Sequence, residues 1–230
     1  MFTITNTLTQ SDVEQAVKLS KLYYADLIHK VLKPHGPTSG LCSSQVEIEV
    51  RAYLEEALTG RQGLRIEVVL AKETATDSVI GFAVVLSSKM SKDCGLNYTA
   101  VHKDYRRQGI LRAMLDRVKS RYSSIGLSCH PDKVPYYEAL GFRVDGAEFV
   151  QVTMGWGEDK ENAMMNSFDM NNNPEIQRCK QAFVRLNGSK TQAIMKKIAE
   201  VQENRMVDVQ KYVQSRADGI PHLEAMKHLR

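Results

Sequence analysis

The sequence predicts an α/β (α+β) protein with a mixed central sheet, helices on both faces of the sheet, and an αα-hairpin at the C-terminus. Short apolar segments with two-residue alternation interchange with longer segments in which apolar residues recur every three or four positions. After residue 155 the alternation stops, and a polar stretch is followed by helical periodicity alone. With 230 residues, the chain is long enough for one domain of ordinary size plus an appendage.

The first quarter of the chain predicts a strand and two helices. Residues 2–5 alternate as a short strand. The capping-box pattern Ser-Asp-Val-Glu at residues 11–14 opens the first helix, and the Pro- and Gly-rich residues 33–40 end it. A second pattern of the same kind, at residues 44–47, opens the next helix, which ends at Gly60.

The middle of the chain predicts three consecutive strands. Residues 64–70 alternate, residues 73–77 have turn chemistry, and residues 79–86 form a more continuous apolar strand. The first two strands therefore form a hairpin. Residues 96–101 form the next strand, which leads into a turn with two consecutive arginines.

The start of the helix after this turn has the features of an anion-binding site. Its apolar face is formed by residues at three- and four-residue spacing, namely Ile110, Leu111, Met114, Leu115, Val118 and Tyr122. The first N–H groups of a helix lack intrahelical acceptors, and the helix dipole adds positive potential there. Arg106, Arg107 and Arg112 add full charges, and Gly109 allows a ligand to approach the backbone closely. The stretch predicts a phosphate or pyrophosphate site; a solvated basic turn is the alternative.

The rest of the first domain returns to short elements. Residues 125–129 form a buried strand, and residues 134–140 form a brief helix that Gly141 closes. Residues 142–144 and 149–154 form a final hairpin. The complete order is therefore β-α-α-β-β-β-α-β-α-β-β.

The C-terminal part predicts a separate helical unit. Residues 156–173 are polar and rich in Asn and acidic side chains, which is typical of a linker. Asn173 and Pro174 start a helix that ends at Gly188, and a longer helix runs from Ser189 to about residue 217.

Each of these two helices has a single apolar stripe, so the pair needs the domain or another chain to cover it. The sequence thus predicts three parts, residues 1–155, 156–173 and 174–230, and a protein partner or self-association through the last part.

Composition and charge argue against several classes of protein. The net charge of +4 is too small to indicate nucleic-acid binding, and the basic residues of the tail are interleaved with acidic ones. Four scattered cysteines and six scattered histidines predict neither a disulfide framework nor a metal site. The sequence has no signal-peptide pattern and no apolar run long enough for a membrane span. We therefore expect a cytoplasmic protein without membrane contact.

Two segments resemble the GNAT family of N-acetyltransferases. Arg106-x-x-Gly109 resembles the family's Arg/Gln-x-x-Gly-x-Gly/Ala turn, with Leu111 at the position of the last Gly or Ala. The stretch from Tyr137 to Phe142 resembles the Phe-Tyr-x-x-x-Gly-Phe signature. The resemblance covers roughly residues 1–155 and implies the GNAT acyl-CoA N-acyltransferase fold.

The resemblance also implies an activity. It implies acetyl-CoA as co-substrate, no metal, and transfer of the acetyl group to a primary amine of a small molecule or protein. Tyr137 matches the tyrosine that protonates the thiolate, and the strand 96–101 would splay from the next strand to make room for the cofactor. The implied cofactor-binding residues are Ala100 and Val101 through their backbone, Arg106, Arg107, Gln108, Gly109, Ile110, Leu111, Arg112, and His130 at the place of a family asparagine.

Some functional positions are open. Many family members carry a Glu on the fourth strand as general base, where this chain has Asn97, Tyr98 and Thr99; His102 is another candidate because its pKa suits the task. The alternative function is a catalytically weak or inactive GNAT-fold structural or interaction protein, such as an internal virion (core) component of a short-tailed phage. The C-terminal hairpin favours this alternative because it needs a partner.

Overall fold

A seven-stranded sheet forms the centre of the protein, in a computed structural model that describes residues 1–31, 35–158 and 165–229. The strand order is β1-β2-β3-β4-β5-β7-β6, and the pairing of β4 with β5 is parallel whereas the other pairs are antiparallel. The predicted fold class is confirmed, and the predicted element order holds except that a third, short helix lies between the first two strands. The strands are β1 Phe2–Thr5, β2 Ile66–Glu73, β3 Val79–Ser87, β4 Asp93–Val101, β5 Ser124–Cys129, β6 Arg143–Glu148 and β7 Gln151–Gly157.

Helices lie on both faces of this sheet and continue beyond it. They are α1 Gln10–Leu22, α2 Tyr24–Leu27, α3 Ser39–Thr59, α4 Ile110–Lys119, α5 Val134–Glu138, α6 Pro174–Asn187, α7 Thr191–Ala217 and α8 His222–Ala225. None of the helices in the described part of the chain is long and apolar enough to cross a membrane.

The first helix begins earlier than its sequence pattern predicts. Thr9 is the N-cap of α1, and its side chain and that of Asp12 form a capping box, two residues before the predicted one. The helix breaks at Tyr23, so that the four residues of α2 form a separate turn. Residues 32–34, in the predicted Pro- and Gly-rich break, lie outside the described residues.

The sheet separates two hydrophobic cores. On one face, α4 buries Ile110, Met114 and Leu115 against strand residues such as Ile125 and Leu127. On the other face, α1 and α3 cover a second set that includes Phe82, Tyr98 and Ala100, together with Val13, Val46, Val50 and Leu54. Because both faces are covered, the central strands are apolar along most of their length.

The segment after β7 contributes to the second core. Met165, Phe168 and Met170 are partly buried against it, and the rings of Phe168 and Tyr53 lie 4.9 Å apart. These residues belong to the predicted linker 156–173, of which residues 159–164 lie outside the described part of the chain.

The two C-terminal helices pack on different parts of the domain. Helix α6 packs on α3, whereas α7 packs on β6 and β7. Val209 and Tyr212 of α7 and Ala225 of α8 are fully buried in the same core that α4 covers. The C-terminal part of the apolar stripe of α7 is thus covered by the domain itself, whereas Val201 is 40% exposed. The division of the chain into three independent parts remains a prediction.

Candidate active-site cleft

The parallel strands β4 and β5 separate before they end. They pair from Asp93 with Ser124 to Leu96 with Leu127, and no further pairs follow along either strand. A cleft of about 590 Å³ opens where they diverge. Nine of the predicted site residues line this cleft: Ala100, Val101, Arg106, Arg107, Gly109, Ile110, Leu111, Arg112 and Tyr137.

A β-bulge at Asn97 determines which groups of β4 face the cleft. Val85 pairs with Leu96 but Val84 pairs with Tyr98, so Asn97 has no partner on β3. The bulge reverses the side-chain alternation, and Leu96 therefore belongs to one core while Tyr98 belongs to the other.

The backbone beyond the bulge is open toward the cleft at alternate residues. His102 N–H donates to the Ile80 carbonyl over 2.8 Å, so the antiparallel ladder directs His102 and Ala100 toward β3. The N–H and C=O groups of Thr99 and Val101 consequently point to the side where β5 has diverged. The resemblance implies backbone contacts from Ala100 and Val101. In the structure, the backbone of Ala100 pairs with Phe82, and the groups that face the cleft are those of Thr99 and Val101.

The basic turn holds its shape through left-handed backbone at two positions. Gly109, the N-cap of α4, has φ 81°, and Arg107 has φ 63°. A non-glycine residue at positive φ costs free energy and is typical of functional turns. The first backbone hydrogen bond of the helix runs from Ala113 N–H to the Gly109 carbonyl over 2.9 Å. The three N–H groups before it lie in the first turn, where a helix offers no acceptor.

Arg106 is fixed against the cleft wall. Its Nε donates to the Val101 carbonyl over 3.0 Å, and its guanidinium lies 4.6 Å from the centroid of the Tyr23 ring. The Tyr23 hydroxyl in turn accepts a hydrogen bond from Lys103 N–H over 2.7 Å. Helix α1, the turn and the end of β4 are therefore joined at one mouth of the cleft.

The remaining turn residues differ in their orientation. Leu111 is half-buried, packs against the core beneath α4 and also lines the cleft. Arg112 lines the cleft and donates to the Ala139 carbonyl over 3.3 Å. Gln108 donates to the Asp104 carbonyl over 3.2 Å and is not among the lining residues. The predicted cofactor role of Gln108 remains a prediction.

Tyr137 stands in the cleft wall on α5. Its ring packs edge-on against Phe142, with centroids 5.7 Å apart, and Gly141 with φ 83° turns the chain between them. Burial raises the pKa of Tyr137 above its ordinary value, and the neighbouring Cys129 raises it further. The phenol is therefore protonated at neutral pH and can act as a proton donor. The neighbouring Tyr136 is 61% exposed.

Two histidines considered from the sequence lie outside the cleft lining. The His130 ring nitrogen Nε2 lies 3.1 Å from the Ile28 carbonyl oxygen, so this side chain connects the segment that follows β5 to the end of α2. Burial lowers the pKa of His130, which favours the neutral ring. His102 caps a short 3₁₀ turn by accepting from Asp104 N–H over 3.4 Å. The proposed cofactor role of His130 and base role of His102 remain predictions.

The cleft is also lined by residues that do not belong to the two family motifs. Lys133 forms an ion pair with Asp26 of α2 over 3.1 Å, and both side chains line the cleft. Gln151 also lines it, although only 3% of the residue is exposed. The sequence pattern gives no signal for Gln151, because Gln151 and Thr153 alternate with apolar residues as on any half-exposed strand. Among the described residues, no group of three or more His, Cys, Asp or Glu side chains has a metal-binding arrangement.

Comparison with known proteins supports an assignment at the level of family and fold. A family model described as an acetyltransferase (GNAT) domain matches residues 46–154. No curated protein matches the sequence. The structure of the PaiA N-acetyltransferase from Thermoplasma acidophilum in complex with coenzyme A aligns with a TM-score of 0.54 at 16% identity, over 69% of this chain and 99% of that chain. A GNAT-family structure from Desulfovibrio desulfuricans aligns with a TM-score of 0.52 at 12% identity, over 68% and 99% of the two chains.

Proposed function

Residues 46–154 form a domain of the GNAT acetyltransferase family, and on this premise we propose that the protein transfers the acetyl group of acetyl-CoA to a primary amine of a small molecule or protein. One observation carries the proposal. The separation of β4 from β5 joins the basic turn before α4 and the partly buried side chain of Tyr137 in a single cleft. An acyl donor with an anionic end and a thioester end requires these two features at the two ends of its site.

Two parts of the cleft lining suit an acyl-CoA molecule. The free N–H groups at the start of α4, with Arg107 and Arg112 beside them, suit a pyrophosphate. The backbone of Thr99 and the N–H of Val101 suit the amides of a pantetheine arm, because an extended chain can pair with a strand edge; the Val101 carbonyl already accepts from Arg106. Acetyl-CoA supplies an activated acyl carbon attached to a good leaving group.

Leu111 is compatible with this occupancy. Leu111 is larger than the Gly or Ala that the family motif has at this position, and it adds apolar surface at the start of α4. Part of that surface is directed into the core beneath the helix, and the cleft has a volume of about 590 Å³ with the leucine in place. This volume lies within the range of ordinary small-molecule sites.

Tyr137 is the proposed general acid. Departure of a thiolate is easier when a nearby group gives it a proton, and Tyr137 is the cleft phenol whose pKa is raised by burial. A raised pKa keeps the proton on the phenol at neutral pH, so that it is present when the leaving group needs it.

The acceptor is proposed to react as the neutral amine. Tyr98 is buried, its hydroxyl donates to the Glu49 carboxylate, and burial together with Glu49 raises its pKa well above the ordinary value. Tyr98 is therefore a poor base at neutral pH. Asn97 and Thr99 offer no basic side chain. Loss of the ammonium proton to water before the amine binds would supply the nucleophile. As the C–N bond forms and the C–S bond breaks, Tyr137 would give its proton to the thiolate, the amine nitrogen would release its second proton to water, and Tyr137 would recover a proton from water.

Calorimetric titration with acetyl-CoA tests the proposal. We expect saturable binding of acetyl-CoA with one site per chain, and a melting temperature that rises with ligand concentration. Arg107→Ala and Arg112→Ala should weaken binding, because they remove charges at the proposed pyrophosphate site, whereas Arg178→Ala on α6 should leave it unchanged. The absence of both heat and thermal shift at saturating acetyl-CoA would refute the proposed function.

The location of the protein is proposed from the sequence alone. We infer a cytoplasmic enzyme; the alternative is an inactive GNAT-fold component inside a phage particle, with residues 174–230 binding a protein partner. The burial of Val209 and Tyr212 against the domain weakens one argument for that alternative, since the domain already covers part of the apolar stripe.

A further inference from the structure

Gln151 has a buried amide oxygen without a partner. It is the first residue of β7, it is 3% exposed, and its Oε1 is buried yet accepts no hydrogen bond from the residues that the structure describes. A buried carbonyl that makes no hydrogen bond destabilises the folded state, so such groups are rare unless a ligand completes them. Gln151 also lines the cleft between β4 and β5, so its side chain belongs to the wall of the proposed acetyl-transfer site.

The register of β7 places Gln151 away from the core beneath α4. Val152 and Met154 belong to that core, and Gln151 therefore lies on the opposite face of the strand by alternation. Ser128 of β5 lies on this same face, beyond the last pair between β4 and β5, and its hydroxyl donates to Glu148 over 2.8 Å. Gln151 is thus located on the side of the sheet where the cleft opens past the end of β5.

The charged residues of the cleft fall into two groups. The turn before α4 contributes Arg106, Arg107 and Arg112, which suit an anion. Asp26, whose carboxylate is shared with Lys133, and Ser128, whose hydroxyl donates to Glu148, also line the cleft. An N–H donor of a ligand complements the Asp26 carboxylate and the amide oxygen of Gln151.

We propose that Gln151 binds the acceptor amine, with its Oε1 accepting a hydrogen bond from an N–H of the amine nitrogen that is to be acetylated. The inference rests on the proposed function and specifies the residue that would orient its second substrate. A neutral carbonyl can hold one N–H of an amine while the nitrogen lone pair remains available for attack. A carboxylate at this position would favour the ammonium form, which has no lone pair.

The test compares Gln151→Met with Thr153→Val. The first variant removes the amide but keeps the length of the side chain; the second is a control two residues further along the same face of β7, outside the cleft lining. The probes are benzylamine, spermidine, lysine amide and a short peptide with a free N-terminus. With the best of these amines, we expect Gln151→Met to lower kcat/KM for the amine about ten-fold, the effect of one lost hydrogen bond, while the affinity for acetyl-CoA and the behaviour of Thr153→Val stay unchanged.

Two outcomes would overturn the assignment. An unchanged kcat/KM for the amine would remove Gln151 from acceptor binding. An equal loss of acetyl-CoA affinity would assign the side chain to the donor instead.

A binding experiment separates this inference from the proposed function. In a ¹⁵N-labelled protein, the side-chain amide signals that disappear in Gln151→Met belong to Gln151, and the same four amines can be titrated against them. Shifted signals in a protein that does not bind acetyl-CoA would support Gln151 as an amine ligand and refute the transferase. A protein that binds acetyl-CoA but whose Gln151 signals respond to none of the amines would keep the donor site and refute the acceptor role.

Discussion

Arg216 of α7 forms an ion pair with Glu138, the residue that directly follows Tyr137 on α5. The side chains of Arg216 and Glu138 are 20% and 29% exposed, and Arg216 also donates to the Ile220 carbonyl over 2.9 Å. The C-terminal helix therefore holds the short element that carries the proposed general acid. The extension is connected to the site through this contact, which a separate appendage would not provide.

Replacement of Glu138 by Gln should lower the free energy of unfolding by about 1–2 kcal/mol, because it leaves a half-buried guanidinium without its counter-ion. Urea denaturation measures this loss. Glu55→Gln is the matched control, since Glu55 is 50% exposed and lies 3.7 Å from Arg51 in an ordinary surface pair worth about 0–1 kcal/mol. Equal effects of the two substitutions would show that α7 does not support α5 through this pair.

Tyr137→Phe should lower kcat about 10²-fold or more while the affinity for acetyl-CoA stays the same, since only the proton donor is removed. Acetyl transfer to the best amine probe, quenched at fixed times, measures the rate. Tyr136→Phe is the control, because Tyr136 lines the same cleft on the same helix but is 61% exposed; its hydroxyl has no assigned proton transfer, and the variant should retain activity. An unchanged rate in Tyr137→Phe would remove this residue as the general acid.

The pH dependence of the rate follows from the pKa shift of Tyr137. Because burial raises the pKa of this phenol above its ordinary value of about 10, the proton-donating form persists from neutral pH to at least about pH 10. The neutral fraction of the amine grows over the same range. The rate in the wild-type protein should therefore rise with pH without an alkaline decline below about pH 10, and a decline near neutrality would contradict the assignment of Tyr137.

Residues 174–230 should unfold together with the domain. Tyr212 is fully buried in the core beneath α4, and its hydroxyl lies 2.8 Å from His222 Nδ1. A shared core predicts one calorimetric transition for the whole chain, and Tyr212→Ala should destabilise it by about 3–5 kcal/mol, as loss of a buried aromatic ring does. Val207→Ala, at a position 49% exposed, serves as the control. Two separated transitions, with only one of them shifted in Tyr212→Ala, would establish an independent helical unit.

The sequence predicts the order of the elements well because their apolar periods are strong. It predicts the first helix start less well, because Thr9 with Asp12 and Ser11 with Glu14 both fit a capping pattern, and only the structure distinguishes them. Helix α3 begins at Ser39 after Thr38, whose side chain makes no capping hydrogen bond, so no local signal marks that start. Boundaries of this kind depend on tertiary packing.

The bulge in β4 is not visible in the sequence. Leu96, Tyr98 and Ala100 alternate without interruption, which indicates one buried face. In the structure the extra residue Asn97 reverses the alternation, and Leu96 enters one core while Tyr98 and Ala100 enter the other. Because both faces of the sheet are covered, apolar side chains are suitable on either side, and the pattern cannot reveal the change.

The residues of the candidate site also divide into those that a local sequence motif indicates and those that only the tertiary structure brings together. The turn at Gly109 and the position of Tyr137 are local in the sequence, and the resemblance identifies them. Gln151 and Lys133 line the cleft only because β7 and the segment after β5 lie beside the opening between β4 and β5. No local sequence motif indicates that these two residues belong to the site. The pairing of His130 with the Ile28 carbonyl likewise joins residues that are 102 positions apart.

Gly81 allows α4 to approach the sheet, and its replacement by Ala should disturb that contact. A Cβ at Gly81 would lie 3.2 Å from the Ala100 carbonyl oxygen and 3.4 Å from both Ile110 Cγ2 and Met114 Cε. Because the carbonyl belongs to β4 and cannot yield as a flexible side chain would, we expect a loss of about 1–3 kcal/mol in the free energy of unfolding. We also expect weaker acetyl-CoA binding, because Ile110 is the first residue of the helix at the basic turn.

Gly40→Ala is the matched control for this substitution, since no atom lies within 4 Å of a Cβ at Gly40, in the first turn of α3. Alanine favours a helix over glycine by about 0.5–1 kcal/mol, so this variant should be neutral or slightly more stable and should bind acetyl-CoA normally. Thermal denaturation and calorimetric titration of both variants measure the two effects. Normal stability and normal acetyl-CoA binding in Gly81→Ala would show that α4 can move away from β3 and β4 without loss of the site.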